Sequence, residues 1–287
     1  RKEAAVLNAR IRKAWLTGNV KVGVIGEAAD LTYEYAHLGA GIDTLADLAS
    51  GKGDFAQVLR NAERPIVVVG EGAVTGASGK DVLALAASLA KGKVGWNGFA
   101  VLHNAAARVG ALDIGFVPGR GGLDTANMIK AAGAGNLDVL FLLGADEVDM
   151  AALGSTKVIY IGTHGDAGAH RADIILPAAA YTEKSATYVN TEGRVQMTNR
   201  AIFAPGDARE DWAILRALSG VLGHTLPFDS LQALRTKLYA DYPHLAHVDG
   251  IAVGREQDVA ALGNTAAPKK TYALVSPVSD FYLTNHI

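Results

Sequence analysis

Apolar residues fall into short unbroken runs along the chain: VKVGVI (20–25), IVVVG (66–70), VLFLLG (139–144), KVIYIG (157–162) and DIILP (173–177), with a weaker KVGW at 93–96. Most end at a glycine. Runs this short that do not alternate have no polar face, so they predict strands buried on both faces, as in parallel sheets. Between them the apolar positions change to helical spacing. In GKDVLALAASLAKG (79–92), Val82, Leu85, Ala86 and Leu89 form one stripe, and Gly92 is placed to stop the helix. DTANMIKAAGAG (124–135) and DAREDWAILRALSGVLG (207–223) read as two more helices, opened by Asp124 and Asp207 as N-caps.

Strand alternating with helix predicts an α/β fold: Rossmann-like, with a mainly parallel sheet, right-handed crossovers and helices on both faces. The pattern predicts an α/β portion over 1–62, the Rossmann-like body over 63–225, and a short helix near 229–240 followed by an extended tail within 226–287. The tail carries Tyr272, Leu274, Val275, Phe281, Tyr282 and Leu283. Such a segment is expected to pack back on the domain or on a partner.

Composition narrows the function classes. The 287 residues are 49% hydrophobic and 20% charged, which excludes a disordered chain. The 27 basic and 29 acidic residues give a net charge of -2, no footprint for nucleic acid. Cysteine is absent. That removes disulfides, thiolate zinc sites, ordinary iron–sulfur clusters and a cysteine nucleophile. No apolar run reaches the roughly 18 residues of a membrane span. The chain opens RKEAAVLNARIRKAW, without Met or the apolar stretch of a signal peptide, and is expected to be cut from something longer.

Candidate chemistry breaks at decisive positions. Glycine is abundant, at 33 residues, and the stretch GEGAVTGASGK after the IVVV run invites a nucleotide motif. Read as a phosphate loop ending at Gly79-Lys80, it has Val74 for the first glycine and Asp81 for the metal-binding hydroxyl. Read as a dinucleotide fingerprint, Gly70 and Gly72 fit but Thr75 replaces the third glycine, and no ribose-binding acid follows at the right distance. The simpler expectation is that these glycines close a tight strand-to-helix turn. In GFVPGRGGLDT (115–125), Arg120 and a helix start could hold an anion, but Asp124 as N-cap would satisfy those donors, so an exposed, mobile loop is expected. His164 and His170 are six apart and do not share a helical face. His244 and His247, near Asp241 and Asp249, lie in a proline-broken stretch, and neither set has the three or four converging ligands of a zinc site. There is no G-x-S-x-G elbow. Glu183, Lys184 and the charges of TEGRVQ are expected to form structural ion pairs.

The most specific stretch is RADIILPAAAYTEKSATYVNTEGRVQMTNRA (171–201). It resembles a stretch of the molybdopterin oxidoreductases, here carried by Ala172, Asp173, Leu176, Pro177, Glu183, Lys184, Thr187, Asn190, Glu192, Gly193, Arg194 and Gln196. With 95–119, 139–149 and the ending SPVSDFYLTNHI, the whole chain resembles the C-terminal part of the large iron–sulfur subunit of respiratory complex I, a family that takes in the bacterial subunit and the mitochondrial 75 kDa one. The resemblance implies a molybdoenzyme-like body that has generally lost its cofactor. It also implies iron–sulfur clusters in an N-terminal part not contained in these residues. No catalytic, cofactor-binding or metal-binding residue is expected in this segment.

The implied partners are other peripheral-arm subunits of complex I, on the cytoplasmic side of the bacterial inner membrane or the matrix side of the mitochondrial one, with no direct membrane span. Within the TEGR passage, Asn190 and Thr191 suit a turn, Gly193 suits a positive φ, and Arg194 is expected to reach Glu183 or Glu192, making a structural clasp. Two alternatives stay open: a molybdopterin oxidoreductase fragment that still binds a pterin dinucleotide, and a nucleotide-binding Rossmann domain.

Overall fold

The structure is a computed structural model and describes residues 2–18, 20–91, 95–251, 262 and 272–278. The chain forms two units. One contains residues 1–106, 191–193 and 253–287; the other contains 107–190 and 194–252.

The first unit runs α1 (Ala5–Leu16), β1 (Gly23–Ile25), β2 (Ala36–Gly39), α2 (Ile42–Ala49), α3 (Asp54–Asn61), β3 (Val67–Val69), α4 (Glu71–Val74), α5 (Gly79–Ala90) and β4 (Phe99–Val101). β1 pairs parallel with β2, and β3 with β4. Their core joins Ile42 and Leu45 of α2, Val69 of β3, Val82 and Leu85 of α5, and Leu274. The predicted stripe on α5 is buried at Val82, Leu85 and Ala86, and the burial is wider than the stripe. Ala84 and Ala87 are buried too and pack against Phe99, because small side chains let a strand approach a second flank of the helix. The expected stop at Gly92 and the first two residues of the weak run at 93–96 lie outside the described residues; a strand instead occupies Phe99–Val101.

The second unit begins with α6 (Arg108–Asp113), α7 (Thr125–Gly133) and β5 (Val139–Leu143). A 3-10 turn at Met150–Leu153 leads to β6 (Lys157–Gly162), then α8 (Ala167–Arg171) and β7 (Ile174–Pro177). Its later elements are β8 (Thr187–Val189), β9 (Val195–Met197), α9 (Asp211–Val221) and α10 (Leu231–Asp241). β5, β6 and β7 form a parallel sheet in that order, with Phe141 beside Ile159 and Ile159 beside Ile174. Leu142, Val158 and Tyr160 are buried in a cluster with Ala132 of α7 and Leu153.

The α/β class and the parallel pairing agree with the sequence pattern. The expectation that these strands are buried on both faces does not hold for this sheet. Val139, Phe141, Leu143 and Ile174 on the opposite face are 43–52% exposed. The physical reason is short connections: the 3-10 turn and α8 pack with α7 on one side of the sheet. A second correction concerns α9. It starts at Asp211, with Glu210 at the cap position, and not after Asp207, whose exposed carboxylate instead lies 4.0 Å from Arg209. The helix expected near 229–240 is α10, capped by Ser230, whose hydroxyl accepts from Ala233 N. Among the described residues no helix is long and apolar enough to cross a membrane.

Candidate functional site

In parallel sheets ligands sit outside the carboxyl ends of the strands. In the second unit those ends carry acids. Asp146 follows β5, Asp166 stands at the N-terminus of α8, and Tyr160 lies on β6 with its hydroxyl donating to Asp166 Oδ1 at 3.2 Å. Burial, reinforced by the Asp166 charge, pushes the Tyr160 phenol up to about 12. The two carboxyl groups are close enough to interact. That contact, with burial behind it, raises Asp146 above the usual carboxylate range, while Asp166, beside Asp146 and accepting from Tyr160, is lowered. Two carboxyl groups this close set negative charge at the strand ends, which disfavours a phosphate there. Among the described residues no group of three or more His, Cys, Asp or Glu could hold a metal.

The distinctive 171–201 segment is a set of clasps. Asp173 accepts from Lys157 at 2.7 Å and from Val158 N at 2.9 Å, with Arg171 at 3.4 Å. Chiefly through the Lys157 bond, these hold its carboxyl down at about 2. Arg171 also donates to the carbonyls of Gly154 and Thr156, at 2.9 and 2.8 Å, tying α8 to the turn before β6. Glu183 accepts from Ala180 N at 2.9 Å, and Lys184 pairs with Asp211 at the start of α9.

β8 and β9 pair antiparallel. Asn190 N donates to Arg194 O at 3.0 Å and the Asn190 side chain accepts from Arg194 N at 2.9 Å, while Gly193 takes φ +81°. The turn at Asn190 and Gly193 thus forms as the sequence indicates. Of the two acids expected for Arg194, Glu183 or Glu192, Glu183 is turned to its own loop, and the Arg194 guanidinium donates to Asp249 O at 2.6 Å. Val189 and Val195 of this hairpin are buried with Leu245.

The glycine loop after β3 is met by the chain's own atoms. Glu3 accepts from Glu71 N at 2.7 Å and would crowd a Cβ on Gly70. A Cβ on Gly72 would collide with Val275 O, and one on Gly79 with Val74 O. The predicted packing of the tail is seen over 272–278, where Leu274 and Val278 are buried; Phe281, Tyr282 and Leu283 lie outside the described residues.

The 115–123 loop is exposed, with Phe116 at 78% and Arg120 out in solvent, and Asp124 caps α7 by accepting from Asn127 N at 2.8 Å. The histidines stay apart: His164 bonds Thr163 at 2.7 Å, His170 is on α8, and His244 lies 3.5 Å from Asp113. A cavity of about 500 Å³ between α2, α3 and α5 is lined by Leu48, Leu59, Leu89 and Arg60, whose guanidinium is tied to Gln57. Sequence reasoning missed Asp146, Asp166 and Glu3. The one available signal was that both aspartates follow apolar runs at strand-end turns.

Against known proteins, residues 1–221 match the family described as molybdopterin oxidoreductase. The chain is 39% identical over 294 residues to the NADH-ubiquinone oxidoreductase 75 kDa subunit of Reclinomonas americana, covering 100% of this chain and 41% of that protein. It is 39% identical over 297 residues to a mitochondrial NADH dehydrogenase [ubiquinone] iron-sulfur protein 1 of Solanum tuberosum, covering 38% of it. The mitochondrial NADH-ubiquinone oxidoreductase 78 kDa subunit of Neurospora crassa is 40% identical over 300 residues, with 39% of it covered. The chain therefore spans about two-fifths of the length of these relatives.

Proposed function

The chain belongs to the molybdopterin oxidoreductase family, and from that premise we propose that it is a cofactor-free structural and docking segment of the large iron–sulfur subunit of a proton-pumping NADH:quinone oxidoreductase. In this reading other residues of the same subunit carry the iron–sulfur clusters. The segment contributes no active site. It sits in the peripheral arm among neighbouring subunits, on the cytoplasmic face of a bacterial inner membrane or the matrix face of a mitochondrial one.

The observation that carries the reading is identity of 39–40% to complex I subunits along the entire chain. A second observation supports its cofactor-free half. The family implies a pterin dinucleotide, and the residues at the strand ends do not fit one. In the second unit, the Asp146–Asp166 pair sets negative charge where a pyrophosphate would need donors. In the first unit, Glu3 and segment 272–278 fill the glycine turns. The Asp173, Glu183 and Lys184 contacts, all structural, leave the segment's most distinctive residues occupied in holding loops.

The test is purification through a tag on the full-length subunit in its own cells. The expected result is co-purification of NADH:quinone reductase activity with the other peripheral-arm subunits, lost when the region matching this chain is deleted. Recovery of the subunit alone, or with a molybdenum enzyme, would overturn the assignment.

A further inference from the structure

Three glycine turns of the first unit, each following the carboxyl end of a parallel strand, are crowded by one extended segment of the same chain. Beyond β1, a Cβ on Gly26 would meet Leu274 O at 3.0 Å, and Glu27 N donates to that oxygen at 3.1 Å. Beyond β2, Leu274 N donates to Ala40 O at 2.9 Å, and Gly41 forms an antiparallel bridge with Ala273. Beyond β3, Val275 O and Pro277 press on Gly72, and the Tyr272 hydroxyl would stand 3.1 Å from a Cβ on Gly76. Leu274 anchors the segment in the core beside Ile42, Val69 and Leu85. Both backbone groups of Leu274 are therefore used by strand-end turns, as in recognition of an added strand. A glycine at such a position ordinarily lets a ligand's phosphate approach the backbone; here what approaches is peptide.

We propose that the strand-end crevice of the first unit is a binding site for an extended apolar peptide, and that residues 272–278 are its resident ligand, closing the crevice to dinucleotides. The chemistry of the crevice walls selects this occupant. Carbonyl and N–H groups at Ala40 and Glu27 ask for a backbone, and the apolar pocket around Ile42 and Leu85 asks for a leucine-sized side chain. The Glu3 carboxylate, already on the Glu71 amide, places negative charge at the turn where a phosphate would bind. The inference rests on the cofactor-free half of the proposed function and is independent of which assembly the chain serves.

These 287 residues contain no cysteine, so in the full-length subunit Val278→Cys, at a buried position, supplies a thiol beside the crevice whose labelling is followed on its own peptide by mass spectrometry. In the full chain its alkylation by iodoacetamide is expected to be at least about tenfold slower than in urea. Gly72→Ala is expected to restore most of that rate, and millimolar GDP or NAD is expected to leave it unchanged. The Glu27 amide, which needs no substitution, is expected to exchange slowly with deuterium. A thiol that reacts as fast as in urea, an unprotected Glu27 amide, or labelling accelerated by either nucleotide would overturn the proposal. Failure of the cofactor-free reading would look different: pterin released from the chain, with the thiol still protected.

Discussion

Asp173, one of the residues that carry the family resemblance, is held by side chains and backbone of its own unit. Its depressed carboxyl means that the folded chain binds protons there less readily than the unfolded chain. The stability it supplies is present above the unfolded value of about 4 and is lost as pH falls towards about 2. Asp173→Asn is expected to lower the urea midpoint at neutral pH and to flatten its decline between those pH values; an unchanged decline would show that another group carries it. Tyr160 works in the opposite window. Its raised phenol means that folding loses stability from about pH 10 up to about 12. Absorbance titration at alkaline pH is expected to show one late-ionising tyrosine that Tyr160→Phe removes. The Tyr272 hydroxyl is buried with no hydrogen-bond partner among the described residues, so Tyr272→Phe is expected to be neutral or to stabilise by up to about 1 kcal/mol, read as the same urea midpoint. The Asp124 cap could be read from sequence because an Asp before a helical stripe has a local physical job. The Asp146–Asp166 contact could not, because it joins acids twenty residues apart through the pairing of two strands.

At the scale of elements, the unalternating Val/Ile runs marked three strands of one sheet within a residue or two: β5, β6 and β7. β2, with its sequence AHLG, carries no such run and is held by its pairing with β1. β8 and β9 are three residues each, too short for a period to register, and they form because the Asn190–Arg194 closure and a left-handed Gly193 bring buried Val189 and Val195 together. Gly193→Ala is expected to cost about 1–2 kcal/mol, since an L side chain is disfavoured at that φ. Asp124→Ala is expected to cost about 1 kcal/mol through the lost cap on α7. Both are read as shifts in the urea unfolding midpoint. The burial of both sheet faces was misjudged because an apolar run reports a strand's composition and not the length of the connections that must cover it.

For the whole molecule, the abundant glycine that stands out in the sequence has a structural explanation. Glycine turns at strand ends are the architecture of a cofactor-binding fold, and here they receive Glu3 and residues 272–278. The whole-length resemblance was legible because EKSATYVNTEGRVQ is long and specific. The filled crevice was not, because nothing in the local sequence ties residue 274 to residues 27 and 40. The central claim is that this family member keeps the fold without its cofactor, and it is tested most directly on the intact subunit purified with its complex. Acid oxidation of the protein, followed by pterin fluorescence and molybdenum and tungsten analysis, is expected to give none of the three. Stoichiometric pterin or either metal would contradict it.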